Sequence, residues 1–122
     1  MWTEYDKVKK RKCDFRVKYE MFAPEDGGRR GTYQGLRCDF MYAEDVPSDG
    51  IYMIHPEFEN QNGTVLLDEN KCIETCGTAR MWIVVDEMRE YHKGRISVGK
   101  KGFFMGGSKK IGRVEVIEVC DL

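Results

Sequence analysis

Long apolar runs are missing from this chain. The longest, Met81-Trp-Ile-Val-Val85, falls far short of the roughly 20 residues a membrane-spanning helix needs. No apolar stretch follows the basic residues of MWTEYDKVKKRK, so no secretory signal is read, no membrane is expected as a partner, and the mature chain is taken to start at Met1. A disulfide framework is missing too. The five cysteines, Cys13, Cys38, Cys72, Cys76 and Cys120, are odd in number and scattered, which fits reduced thiols and a cytoplasmic location. No hydrolase elbow, H-E-x-x-H metal pair or Cys/His nucleophile pair occurs. There is little net charge, −1 with 20 basic and 21 acidic side chains, so no global field draws in a polyanion.

Two near-motifs fail on inspection. In GRISVGKK, Gly94, Gly99 and Lys100 have phosphate-loop spacing, but Lys101 stands where the magnesium-binding hydroxyl belongs. Charged DEMREYHK precedes it, and GFFMGGSKKIG, with Gly102, Gly106 and Gly107, follows. Neither flank is the buried strand or the helix that such a loop requires. The segment is read as a basic turn, and no nucleotide is expected. Cys72-x-x-x-Cys76 supplies half of a zinc site, and His55, His92 or a lone cysteine would have to complete it without motif spacing. The thiols are read as structural, with neither metal nor cofactor.

Alternation is what the sequence does have. In KCDFRVKYEMFA, Cys13, Phe15, Val17, Tyr19 and Met21 fall on one face, and Asp14, Arg16, Lys18 and Glu20 on the other, the pattern of a half-buried strand. GLRCDFMYA repeats it, with Leu36, Cys38, Phe40 and Tyr42 opposite Arg37, Asp39 and Met41. Further strands are predicted in IYMIHPEF, TVLL, TARMWIVVD, RISV, GFFM and IGRVEVIEVC. Only DEMREYHK has helical character, and it is too short to stand alone. Short strands with glycine-rich turns predict an all-β fold. A single closed antiparallel Greek-key β-barrel of about six or seven strands, spanning 13–120 behind a basic N-terminal arm at 1–12, would hide the sheet edges.

Two stretches then resemble the C-terminal β-barrel domain of bacterial elongation factor Tu. DGGRRGTYQGLRCDF, Asp26 to Phe40, is similar to that family's Glu-Gly-Gly-Arg loop and the strand after it, with Gly27, Gly28, Arg29, Gly35, Arg37 and Phe40 in place. MGGSKKIGRVEVIEV, Met105 to Val119, is similar to the family's final Gly-Gly-Arg turn and valine-rich strand. GTARMWIVVDEM resembles the region between them, and GRISVGKKG falls at the hairpin leading into GFFM. The resemblance implies a barrel without GTP chemistry, since the family's GTPase domain and middle barrel have no counterpart in these residues.

It also implies two kinds of non-catalytic binding. The first is contact with another protein through an adhesive face, for which Trp2, Trp82, Phe103 and Phe104 are candidates, with self-association left open. The second is contact with a tRNA stem backbone. Carried over by position, the RNA-facing residues are Arg29, Arg37, Gly106 and Gly107, with Arg30 and Lys109 as neighbouring cations. Arginine and backbone N–H groups suit phosphate, because A-form stems are read through backbone and 2′-hydroxyl. Asp39 and Gly106 depart from the family pattern. The same glycines also serve tight corners, where Arg29 would pair with Asp26 and Arg37 with Asp39. A third reading, an enzyme using Cys72, Cys76 or His92, lacks any paired constellation.

Overall fold

A computed structural model describes residues 1–122. Six strands form one antiparallel sheet: β1 Phe15–Met21, β2 Asp39–Tyr42, β3 Ile54–Phe58, β4 Cys76–Ile83, β5 Lys101–Gly106 and β6 Lys109–Val119. Their spatial order is β2-β5-β6-β1-β4-β3, so the strands nearest the two chain ends are neighbours in the middle. Two five-residue helices, α1 Tyr5–Lys9 and α2 Arg89–Lys93, complete the regular structure. No helix is long and apolar enough to cross a membrane.

The alternating residues fill the concave side of the sheet. Phe15, Val17 and Tyr19 of β1 meet Phe40, Phe58, Met81, Phe104 and Val116 in one buried cluster. Each fully buried phenylalanine there contributes about 2 kcal/mol from apolar burial. Tyr19 packs edge-on against Phe58, with ring centroids 5.3 Å apart, and its hydroxyl donates to Glu74 O at 3.0 Å, which satisfies its polar end. Register shifts between Arg16 and Val17 and between Phe104 and Met105 bend the sheet, as bulges do.

The curl stops short of the closed barrel. The edge strands β2 and β3 share no ladder. Just before β3, Tyr52 exchanges two backbone hydrogen bonds with Phe40, at 2.8 and 2.9 Å, and that isolated bridge is the only backbone pairing across the seam. The result is a curled all-β half-barrel of six strands.

Two predicted strands are absent. In TVLL only Val65 bridges the sheet, opposite Glu59, because Asn60 Oδ1 accepts from the amides of Asn62 and Thr64 and folds the segment into a turn. RISV continues the turn of α2, with the amides of Arg95 and Ile96 donating to His92 O. GRISVGKKG therefore links a helix to β5 and is not the hairpin expected from the resemblance.

The face expected to be adhesive also differs. Phe104 is a core residue with no exposed surface. Trp82 lies on the convex side of β4 but is 1% exposed, because the N-terminal segment covers it. Trp2 Nε1 and the Tyr5 amide both donate to Glu57 Oε2 at 2.8 Å, and Trp82 Nε1 donates to Glu57 Oε1 at 3.1 Å. The Trp2, Tyr5 and Trp82 rings stack edge to face, 5.1 and 5.8 Å apart. Of the aromatics chosen from the strands, Phe103 alone keeps partial exposure, and Lys110 Nζ lies 4.2 Å over its ring.

Candidate functional site

Antiparallel pairing brings the ends of β1, β3 and β5 and the starts of β2, β4 and β6 to one rim. The loops at 22–38, 59–75 and 106–109 lie there, and they carry every cation carried over from the resemblance.

The first glycine pair is fixed by backbone. Pro24–Asp26 forms a 3-10 turn that ends on Gly27 at φ 96, a conformation glycine adopts without steric cost. Gly28 donates to Ala23 O at 2.9 Å, and a Cβ on it would lie 1.7 Å from Phe22 O, which no side chain can do. Phe22 N donates to Ile111 O at 2.9 Å, and a Cβ on Gly27 would stand 3.6 Å from Lys110 O. The loop bearing Arg29 and Arg30 thus lies beside the hairpin of Gly106, Gly107 and Lys109, where Gly107 turns at φ 63. Arg37 lies toward the N-terminal segment, close enough for its charge to act on Tyr5 and His55.

Ion pairing sets three of these cations apart. The chain has nine arginines. Arg16 and Arg80 share buried Glu59 at 2.7 and 2.9 Å, and Arg11 and Arg89 share buried Asp14 at 3.1 and 2.8 Å. Arg95 pairs with Asp45, and Arg113 with Glu20, each at 3.0 Å. Arg29, Arg30 and Arg37 are exposed and enter none of the ion pairs, so the expected pairs Arg29–Asp26 and Arg37–Asp39 do not form. Lys109 is exposed beside them. A cleft of about 500 Å³ opens behind Arg29 and Arg30, walled by Phe22, Cys72, Ile73, Thr75 and Arg113.

The opposite rim holds a cluster that sequence reading missed. His92, buried on α2, lies 2.6 Å from the Tyr42 hydroxyl through Nδ1. Burial, assisted by the nearby Arg95 charge, pushes its pKa down to about 4. The Arg95 guanidinium lies 3.7 Å from the Tyr42 ring centroid and donates to the Tyr91 hydroxyl at 2.7 Å. Lys100, the lysine of the failed phosphate loop, is paired with Glu44, whose carboxyl is held down to about 2 chiefly by that contact. His92 and the exposed Cys72 and Cys76 stand at opposite rims, so the structure does not assemble the residues of the enzyme reading. No group of three or more His, Cys, Asp or Glu side chains is placed to hold a metal ion. Only knowledge of the strand register would have brought Glu59 to Arg16 and Arg80.

No family model matches the chain, and no curated protein matches it.

Proposed function

We propose that the protein is a non-catalytic module that binds the sugar-phosphate backbone of a structured RNA through the rim bearing Arg29, Arg30, Arg37 and the Gly106–Lys109 hairpin. The observation that carries the reading is the selective lack of partners: six arginines are matched to carboxylates, and the three in one loop segment are not. Unpaired guanidinium groups are available for bidentate contact with phosphate. They can act locally even though the net charge is near zero, because screening confines such contacts to about 10 Å in ordinary salt.

The likeness of the two glycine loops to the elongation factor Tu C-terminal barrel supports the same partner, and the bridged seam between Phe40 and Tyr52 is compatible with a barrel of that kind. Contact with another protein is less well supported, because of the aromatics chosen for it only Phe103 and Trp2 are half-buried rather than buried, and Trp2 is fastened to Glu57.

Titration of a labelled RNA hairpin at two salt concentrations tests the proposal. Replacing Arg29, Arg30 and Arg37 by alanine should weaken binding and lower the salt slope by roughly three, with circular dichroism unchanged. Equal binding by the folded triple variant, or no binding by the wild type, overturns it.

A further inference from the structure

We infer that the cleft behind Arg29 and Arg30 receives one unstacked nucleotide from a single-stranded tail of the bound RNA. This rests on the RNA reading above and goes beyond it, since contact with a stem backbone needs cations on a surface and no cavity at all.

The cleft's lining combines two kinds of chemistry. It includes the exposed, unpaired guanidinium groups of Arg29 and Arg30. Arg113 and Glu20, which also line it, neutralise one another at 3.0 Å, so Asp26 is the single unmatched anion against two unmatched cations. The lining also includes the half-buried Phe22 and Ile73. Arg113 lies over the Phe22 ring, 5.2 Å from its centroid, giving a wall of stacked guanidinium and aromatic ring on which a base can pack. A phosphate joined to a planar, largely apolar ring matches this combination of free guanidinium groups and apolar wall. At about 500 Å³ the space lies within the range of small-molecule sites, roughly 300 to 1,000 Å³. Bases inside a duplex are stacked and paired, so only an unpaired tail can offer one to it.

The cleft has its own reporter. Cys72 lines it and is exposed, whereas Cys76, equally exposed, does not. The test measures alkylation of each thiol by iodoacetamide, resolved by mass spectrometry, with three probes: a blunt RNA hairpin, the same hairpin with a short 3′ single-stranded tail, and a free nucleoside monophosphate. At tenfold excess over its dissociation constant the tailed hairpin should slow Cys72 alkylation roughly tenfold and leave Cys76 unchanged. It should bind about tenfold more tightly than the blunt form, the worth of one stacked base. A bulky maleimide placed on Cys72 in a Cys76→Ser background should abolish that preference while blunt-hairpin binding persists.

If the tailed and blunt hairpins bind equally and Cys72 stays reactive, the cleft assignment is wrong while the RNA reading stands. If the free mononucleotide alone protects Cys72 equally well, the site serves a small ligand, and the assignment to an RNA tail is overturned. If neither hairpin binds, the RNA reading fails and takes this inference with it.

Discussion

Glu59 is fully buried as a side chain, and it accepts from Arg16, Arg80 and the Thr78 hydroxyl. Burial alone would raise its pKa, yet these donors hold it below the ordinary carboxylate value. Glu59→Ala leaves two partly buried guanidinium groups facing each other and should cost about 3 kcal/mol, read as a lower urea midpoint. Glu59→Gln retains an acceptor and should cost less. His92 gives the residue scale its pH dependence. Unfolded, it titrates near 6.5, and folded, near 4. Between these values the unfolded chain takes up a proton that the native state refuses. Its contribution to stability is therefore complete above about pH 6.5 and lost as pH falls toward about 4. Urea unfolding at pH 7 and pH 5 should show wild type weaker at pH 5, and His92→Gln should flatten that difference. Glu59 acts lower, since its contribution is lost only below the ordinary carboxylate pKa near 4.3.

At the scale of elements, the N-terminal segment is a cover for the convex face of β3 and β4, fastened by Trp2 and Tyr5 to Glu57. Trp2→Ala removes one of the three donors to that buried carboxylate and the ring that packs on Tyr5, itself seated against Trp82, and should cost about 2 kcal/mol in urea unfolding. With Tyr5 less firmly held, Trp82, then the single tryptophan, should emit to the red of its position in Trp2→Phe, where a ring still supports Tyr5. This cover explains what could and could not be read from sequence. β1 was legible because each inward residue is apolar and its outward neighbours Arg16, Lys18 and Glu20 are charged. Trp82 was read as a candidate for an exposed adhesive face and is buried, because alternation distinguishes two faces without saying which has a lid. The glycine-arginine loops were legible as turns. The cleft beside the first of them was not, since Thr75 and Cys72 reach it from a loop some 40 positions further along the chain.

For the whole molecule, the order β2-β5-β6-β1-β4-β3 predicts a gradient of protection. Amide hydrogen exchange should be slowest in β1 and β6, which are paired on both sides, and faster in β2 and β3. Phe40 and Tyr52 should be protected exceptions at the seam. Slow exchange throughout β2 and β3, equal to that of β1, would mean a fully closed barrel in solution. The all-β class followed from reading short β-rich segments, which marked all six strands and, in TVLL and RISV, two segments that are not strands. Closure did not follow, because it depends on how far a bulged sheet curls. The central pairing also bears on the order in which the chain is made. β1 leaves the ribosome first among the strands and its partner β6 last, and Asp121 N reaches back to Cys13 O. Until β6 emerges, β1 has one flank bare, and the strands made in between lack the middle on which the sheet is built. The sheet must therefore wait for β6, and a nascent chain stalled before Gly112 would hold the apolar face and one edge of β1 open to solvent.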